Sequence, residues 1–414
     1  MNNCVSIKRT RSGRPDSSAA RSIGLGSRRS TGEVTRDHPA ARSAVHGPRS
    51  WDALLIASVM IMLGLGIVLV YSSSSVFAAR IHGDAEYFLK AQLGWAVLGL
   101  IGMVMAAHVP GEWLQKRAGL LFLGCVVLCV LVLIPGIGHL ANGARRWITF
   151  AGVGFQPSEL TKVAVVVAIA GILANRDANM KKDRSSLLVP VLIAQIPVAL
   201  ILKEPDLGTA LVIELVVAVM VFSAGLRLRT LALVGLTALP VFYNQLMGTR
   251  WRIERILAWI DPWAYRSTTG YQVSESLISI GSGGLWGVGL GASKHKLFFL
   301  PAAHTDFIFA LLAEELGFIG VMVVLCVVAL FVARALRAAV GAVSSFDGYL
   351  AVGLGALVAV PAVFNMCVAS GMLPTKGLPL PLVSYGGSNL LATLVAVGLL
   401  LRVARDGIAE ESTK

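Results

Sequence analysis

The chain has 414 residues, of which 56% are hydrophobic and only 14% are charged, with a formal net charge of +13. A typical soluble domain is about 25% charged, and no soluble core could bury this much apolar surface. The apolar runs are long and continuous rather than strictly alternating, which favours transmembrane helices over the strands of a membrane barrel. The sequence therefore predicts an all-α polytopic membrane protein.

The first 50 residues differ in composition from the rest of the chain. They contain ten basic and three acidic residues, are rich in serine, glycine and arginine, and have no apolar periodicity. We expect a disordered tail that keeps the N-terminus in the cytoplasm and contacts anionic lipid; nucleic-acid binding is the weaker alternative. The predicted organisation is this tail over residues 1–50, a membrane domain over 51–405 and a short cytoplasmic tail over 406–414.

Ten apolar runs are predicted to span the membrane. They cover residues 53–74, 91–109, 118–134, 159–174, 187–202, 207–225, 230–247, 306–332, 350–373 and 386–404. An even number of spans places both termini on one side. The loops on that side are rich in lysine and arginine, as the positive-inside rule requires of the cytoplasmic face. The longest loop then lies on the outer face, between spans seven and eight.

Two outer loops, residues 135–157 and 248–305, are basic although they are translocated. Their cations are Arg145, Arg146, Arg250, Arg252, Arg255, Arg266, Lys294 and Lys296. Fixed cations on this face suit an anionic ligand such as a phosphate or pyrophosphate, and ordinary solvated charge is the alternative. Residues 252–260 have the period of an amphipathic interfacial helix. Residues 281–291 contain six glycines, which allow close approach of another backbone or a ligand.

Charged side chains at membrane depth are costly and usually mark a functional site or an ion pair. Asp306 lies where the long polar loop meets the eighth apolar run, which makes it the first candidate for chemistry. Glu159 and Lys162 are spaced i,i+3, which predicts an ion pair on one helix face. Asp206 and Glu315 are further candidates for structural charges, and a functional role for Glu315 is equally open.

Five ordered segments resemble the SEDS glycosyltransferases (shape, elongation, division and sporulation). They are residues 142–148, 156–162, 204–210, 304–309 and 379–388. The resemblance extends over about residues 50–405. Lys376, after Pro374 and Thr375, makes the chain more similar to the division branch than to the elongation branch, and sporulation paralogues share this feature. One departure is Ala302, where the family often has glutamate, so Asp306 is the only carboxylate in its immediate motif.

The resemblance implies the SEDS fold and the polymerisation of lipid II into β-1,4 glycan strands at the division septum. The displacement inverts the donor carbon and releases undecaprenyl pyrophosphate. Asp306 is then the expected catalytic base, which contributes roughly 10²–10⁴-fold, and cations at the leaving pyrophosphate contribute comparably. The expected substrate-binding residues are Arg145, Arg146, Trp147, Lys376, His304 and Ser384.

Partners and location follow from the same resemblance. We expect lipid II and the nascent glycan strand, a class B penicillin-binding protein that supplies transpeptidation, and other membrane proteins of the division complex. The expected location is the bacterial cytoplasmic membrane, with the active site on the outer face. A divalent cation, Mg²⁺ or Mn²⁺, would suit the pyrophosphate as a counter-ion, but no ligand set or cysteine and histidine spacing predicts a metal site.

Three alternatives stay open from the sequence. A lipid II flippase or transporter shares the topology and the cationic loops but needs no base, and the sequence shows no visible inverted repeat. A scaffold that activates a transpeptidase needs no chemistry of its own. An elongation or sporulation paralogue keeps the chemistry and changes the place of action.

Overall fold

The computed structural model describes residues 50–141, 144–150, 153–180, 187–233, 235–236, 243, 250–293 and 304–411. The predicted N-terminal tail, most of the predicted seventh span, and Lys294, Lys296 and Ala302 of the long outer loop lie outside the described residues. The predicted C-terminal tail is helical as far as Glu411.

Within the described residues, seven helices are long and apolar enough to span a membrane. They are α1 (Ala53–His82), α2 (Tyr87–Ala107), α3 (Gly111–Leu133), α4 (Pro157–Met180), α9 (Ile308–Val340), α10 (Ser345–Ala369) and α11 (Gly387–Glu411). The helices α5 (Leu188–Lys203) and α6 (Leu207–Ser223) are apolar but shorter. Residues 228–233 and 235–236 are also helical, at the start of the predicted seventh span. The polytopic helical fold is therefore confirmed.

Three helices form the centre of the bundle and two lie at its edge. Much of α4, α10 and α11 is buried by other helices, whereas only 17% of the apolar window of α2 or α3 is buried inside the protein. Between their first turns and their C-terminal ends, the exposed large side chains of α2 and α3 are leucine, valine, isoleucine and methionine. Helices that are apolar on every side suit a lipid environment, so the edge of the bundle faces the bilayer.

The outer loop before α4 folds into a small antiparallel sheet that the sequence did not predict. Its strands are β1 (Gly138–Ala141), β2 (Ala144–Phe150) and β3 (Val153–Phe155), in the order β1-β2-β3. Ile148 in the middle strand pairs with Gly138 on one side and Phe155 on the other. The sheet holds β2, the predicted basic segment, beside the start of α4.

The long outer loop contains α7 (Arg250–Ile260) and α8 (Tyr271–Gly283). The helix predicted over 252–260 is present as α7, and its position at the membrane interface stays a prediction. The Trp259 indole Nε1 donates to the carbonyl of Gly371, 2.9 Å away, at the C-terminal end of α10. This hydrogen bond fixes α7 across the outer end of the bundle.

The helix α9 is broken at Gly317, where φ is 65° and ψ is −168°. The glycine-rich segment (residues 284–289) fills the break. The backbone N–H of Val288 donates to the Glu314 carbonyl at 3.0 Å, and that of Phe318 donates to the Gly284 carbonyl at 2.9 Å. Irregular backbone at membrane depth is tolerated when protein satisfies its polar groups. The glycines of the sequence thus permit backbone to approach backbone.

Buried ion pairs join the helices at the end of α9 opposite Asp306. Arg334 contacts Asp52, the N-cap of α1, with an N–O distance of 2.7 Å. Arg402 of α11 pairs with Asp347 in the first turn of α10. These pairs hold together the end of the bundle that lies opposite Asp306.

Candidate functional site

Asp306 lies in the turn that precedes α9, beside the loop that joins α10 to α11. Its carboxylate packs against Gly377: a Cβ atom built at that glycine would lie 2.7 Å from Asp306 Oδ2. Only a residue without a side chain permits this approach. Because Gly377 follows Lys376, the fold brings the predicted base and the predicted lysine to the same place.

Ser384 also joins the Asp306 turn to the α10–α11 loop. The Ser384 hydroxyl donates to the Thr305 carbonyl at 2.6 Å and accepts from the Leu380 backbone N–H at 2.8 Å. The next residue, Tyr385, donates its backbone N–H to the His304 carbonyl at 2.9 Å. Ser384 is buried, and this geometry favours a positioning role for it; its substrate-binding role stays a prediction.

Burial raises the pKa of Asp306 to about 6, while the nearby Arg255 guanidinium lowers it and Asp206 raises it further. Asp306 is still partly exposed, as a group that meets a substrate must be. With this pKa the carboxylate is mostly ionised near neutral pH and remains basic enough to take a proton. General bases work best when their pKa lies near the operating pH.

Four cations lie within electrostatic range of one another beside the Asp306 turn, and we call them the cation cluster: Lys376 and the three arginines that act on it, Arg146, Arg252 and Arg255. Burial lowers the pKa of Lys376 to about 8; Asp206 opposes that change, and the three arginines add to it. Like charges kept this close repel one another unless an anion joins them. The cluster is therefore suited to bind an anionic group.

Arg146 reaches the site through the turn between α5 and α6. Its Nε donates to the Glu204 carbonyl at 2.8 Å and one terminal nitrogen donates to the Pro205 carbonyl at 2.6 Å. Both acceptors are neutral, so these contacts hold the guanidinium in place and leave its charge available to a ligand. Burial raises the pKa of the Glu204 side chain to about 8, which keeps that carboxyl largely protonated.

Asp206 caps α6 and is held by its neighbours. Its two carboxylate oxygens accept from the backbone N–H and the hydroxyl of Thr209, at 3.2 and 2.8 Å, and from the Gln156 amide at 3.2 Å. These bonds fix its negative charge within range of Lys376 and Asp306. Asp206 thus shapes the field of the site from a structural position.

The strand β2 is bulged at Arg146: Arg145 pairs with Leu140, and Trp147 pairs with the neighbouring His139 of β1. The regular alternation of side chains is therefore interrupted at Arg146. The Trp147 ring packs over Gly154 of β3: a Cβ there would lie 3.5 Å from Trp147 Cε3. Arg145 is half-buried. The contact of Arg145 and Trp147 with substrate stays a prediction.

His304 lies in an aromatic group two residues before Asp306. Its ring centroid is 5.0 Å from that of Phe88 and 5.9 Å from those of Phe77 and Tyr385. Burial lowers the pKa of His304, so the ring is neutral near pH 7 and adds no charge to the cation cluster.

The remaining predicted charges form contacts inside the bundle. Lys162 Nζ lies 2.8 Å from Glu159 Oε2, and both side chains are buried. Glu315 accepts a 2.5 Å hydrogen bond from the Ser72 hydroxyl of α1. These contacts join α9 to α1 and stabilise α4, which fits the predicted structural role.

Among the described residues, no group of three or more histidine, cysteine, aspartate or glutamate side chains could hold a metal ion. The Asp206 carboxylate is already committed to three hydrogen bonds. The residues present therefore do not form a metal cage of their own. Mg²⁺ is often bound by one or two carboxylates together with substrate phosphates, so the pyrophosphate would have to supply most of the ligands.

These features define a class: a multi-pass helical membrane enzyme with a carboxylate and a cation cluster at one end of its helix bundle. The chain belongs to the cell cycle protein family FTSW_RODA_SPOVE, whose model matches residues 52–407.

The relatives cover nearly the same segment. A probable peptidoglycan glycosyltransferase FtsW from Geobacter sp. (strain M18) is 43% identical over 86% of this chain and 96% of its own length. Stage V sporulation protein E from Bacillus subtilis (strain 168) is 38% identical over 86% of this chain and 97% of its own.

Solved structures show the same architecture. A chain of a peptidoglycan synthase complex that coordinates polymerization and crosslinking has a TM-score of 0.71 and 32% identity, covering 86% of this chain and 98% of its own. The rod shape determining protein RodA of Thermus thermophilus has a TM-score of 0.64 and 32% identity, with coverage of 86% and 97%.

The sequence did not single out two contacts of this site. Asn365 of α10 donates to the Asp306 backbone carbonyl at 2.8 Å, and Gly377 contacts the Asp306 carboxylate. The available signal for Asn365 was a lone amide inside an apolar run, which is uncommon at membrane depth. No local signal identifies Gly377, because its role depends on a residue 71 positions away in the chain.

Proposed function

We propose that this chain is a peptidoglycan glycosyltransferase that polymerises lipid II at the division septum, with Asp306 as its general base. The observation that carries the proposal is the half-buried carboxylate, with its pKa raised to about 6, held against Gly377 beside the cation cluster. Family membership and the names of the relatives support the activity.

The reaction needs a proton acceptor and a site for a leaving anion, and the site offers both. Asp306 takes the proton from the 4-hydroxyl of the acceptor N-acetylglucosamine. The oxygen then attacks C1 of the donor N-acetylmuramic acid, and the C1–O bond to undecaprenyl pyrophosphate breaks with its electron pair on the leaving oxygen. Attack from the opposite face converts the α-linked donor into a β-1,4 product.

The cation cluster stabilises the charge that develops on the leaving pyrophosphate. Fixed cations in a site of low polarity act strongly on developing charge because they need no rearrangement during the reaction. Arg255 is close enough to lower the pKa of Asp306. Lys376 precedes Gly377, which contacts the Asp306 carboxylate, and Arg146 is held by neutral carbonyls. A Mg²⁺ or Mn²⁺ ion that arrives with the pyrophosphate would add positive charge at the same place.

The setting follows from the family. The chain is a multi-pass membrane protein, and we place it in the bacterial cytoplasmic membrane with both termini inside and the site outside. The related chain in a peptidoglycan synthase complex supports a crosslinking partner, and a class B penicillin-binding protein is the partner we propose. Lipid II, the nascent glycan and other division proteins complete the proposed set.

The test is polymerisation of labelled lipid II by the purified protein in detergent, with and without its transpeptidase partner. Asp306→Asn removes the base and keeps the shape, and we expect a loss of roughly 10²–10⁴-fold in rate. Asp261→Asn is the control, since Asp261 caps an exposed outer turn by accepting from Ala264, which asparagine also does. Long glycan strands from Asp306→Asn would exclude the assignment.

Lipid II flipping is the second candidate, and the break in α9 at Gly317 is the observation that favours it. Broken helices near a substrate site are common in transporters. Detergent removes the two compartments, so a flippase has no measurable activity there. Glycan strands formed in detergent would therefore exclude transport as the only function.

A further inference from the structure

The side chain of Asn365 occupies an unusual place for an amide. It lies on α10, is 1% exposed, and is surrounded by apolar residues of the bundle. Its Nδ2 group carries two protons, and each is donated to a backbone carbonyl: to Asp306 at 2.8 Å and to Leu378 at 2.7 Å. The orientation of the amide is fixed, because a flipped amide would turn its own oxygen toward both carbonyls.

The two carbonyls belong to the two halves of the proposed site. The first is that of Asp306 itself. The second belongs to Leu378, whose backbone N–H donates to the Lys376 carbonyl at 2.9 Å. One amide side chain therefore connects the backbone of the base to the short turn that carries the lysine.

This connection limits how the two groups can move apart. Asp306 has a short side chain, so its carboxylate follows its backbone closely. The turn after Lys376 has no regular secondary structure of its own. Without the two donors of Asn365, two buried carbonyls would lose their partners, and the turn would relax to satisfy them.

We propose that Asn365 is a positioning residue that sets the separation between Asp306 and the Lys376 turn. The inference rests on the proposed function and deepens it by naming a residue that acts through the base without touching substrate. A shift of about 1 Å in a reacting group can cost roughly 10²-fold in rate. Loss of this connection should therefore appear in kcat.

The test compares three variants in the lipid II polymerisation assay. Asn365→Ala removes both donors, and Asn365→Asp keeps the shape while leaving one donor at most. The matched control is Ser276→Ala: the buried Ser276 hydroxyl donates to the Ala369 carbonyl at 2.6 Å, so its removal frees a buried carbonyl of the same helix one turn further on. Thermal unfolding in detergent is measured for all three.

We expect Asn365→Ala to lower kcat roughly 10²-fold, with the KM for lipid II within about threefold of the parent. We expect Ser276→Ala to lower the melting temperature about as much as Asn365→Ala does, while its kcat stays within about twofold of the parent. Asn365→Asp offers at most one donor, and only while its buried carboxyl is protonated, so its kcat should also fall below that of Ser276→Ala while its KM stays close to that of the parent. A protein that is merely destabilised does not show a loss of kcat at unchanged KM.

Equal kcat values for Asn365→Ala and Ser276→Ala would overturn the inference. If Asn365→Ala fails to fold, Asn365→Asp decides by its kcat: a kcat equal to that of Ser276→Ala would overturn the inference as well. Asp306→Asn is assayed in parallel. Polymer from Asp306→Asn would refute the base itself, whereas an inactive Asp306→Asn with a fully active Asn365→Ala would refute only the positioning role.

Discussion

The pH dependence of polymerisation follows from two groups of the site. Asp306 must be ionised to take a proton, and its pKa is about 6. Lys376 must be protonated to hold the pyrophosphate, and its pKa is about 8. We therefore expect a bell-shaped profile with its maximum near neutral pH, and the two limbs belong to the coupled group rather than to isolated residues.

The expected fall in rate on each side of the pH optimum follows from the same two pKa values. About one pH unit below the pKa of Asp306, roughly a tenth of the carboxylates are ionised, so kcat/KM falls about tenfold. About one unit above the pKa of Lys376, the fraction of protonated amine falls by the same factor. The window between the limbs is thus about two pH units wide.

Arg255→Gln tests whether the cation cluster sets this window. Arg255 lowers the pKa of Asp306 by favouring the carboxylate, and it lowers the pKa of Lys376 by repelling the ammonium. Its removal raises both values, so both limbs move to higher pH together. A general loss of structure would lower the rate without moving the limbs in one direction.

The assay is the initial rate of glycan formation from labelled lipid II, measured from about pH 5 to about pH 9. Arg266→Gln is the matched control: Arg266 is also an outer-face cation, but it pairs with Glu275 at 3.0 Å and does not contribute to the pKa of Asp306 or Lys376. An acid limb that stays in place or moves to lower pH in Arg255→Gln would refute the electrostatic reasoning.

Three further predictions test other parts of the structure. Gly377→Ala places a methyl group where the Asp306 carboxylate lies, so kcat should fall roughly 10²-fold; Gly386→Ala, whose nearest neighbour is the Asn389 Cβ at 3.7 Å, should leave the rate unchanged, and equal rates would contradict the contact. Glu204→Gln should keep activity and flatten the pH dependence of stability. The raised pKa of Glu204 gives the parent a contribution to the free energy of unfolding that is present at low pH and lost as pH rises through about 8. Melting temperatures at mildly acidic and alkaline pH test this, and an unchanged slope in the variant would argue against a protonated Glu204. Glu159→Gln leaves Lys162 buried without its partner and should cost about 3–5 kcal/mol of unfolding free energy. Adding Lys162→Met should restore much of this loss. If melting curves in detergent show the same loss of stability in the single and the double variant, the pair carries no such penalty.

Hydropathy was sufficient to predict the bundle and to draw attention to Asp306. The apolar runs are long, and a carboxylate at the edge of one is conspicuous because of its cost. Helix ends were less predictable. The eighth run was expected to stop at residue 332, but α9 continues to Val340, because Arg334 is stabilised at this depth by Asp52 of another helix.

The small sheet before α4 shows a second limit of the sequence. Its strands have four, seven and three residues, which is too short for a clear alternation of apolar and polar side chains. Only the pairing of three segments makes them regular. The sequence therefore predicted the basic residues of this loop but not the bulge that interrupts the pairing of β2 at Arg146.

The candidate site was predictable in its residue types and not in its connections. A carboxylate and a set of outer-face cations were visible in the sequence, but the partners of Asp306 come from three separate segments: α7, α10 and the α10–α11 loop. Tertiary contacts of this kind are set by packing, and no local pattern encodes them. Asn365 is the example, because its two acceptors are 59 and 13 residues away.

The break in α9 gives Asp306 a second constraint. If α9 were unbroken, any tilt of the part after Gly317 would also move the turn that carries Asp306. Instead, Gly317 adopts a backbone conformation that only glycine readily takes. The glycine-rich segment (residues 284–289) donates hydrogen bonds to the carbonyls of Glu314 and Glu315. The short half of α9, before Gly317, is thereby attached to the glycine-rich segment at its C-terminal end. At its N-terminal end, Asn365 holds the Asp306 turn. Two attachments fix both position and direction, which a base needs if its proton transfer is to coincide with departure of the pyrophosphate.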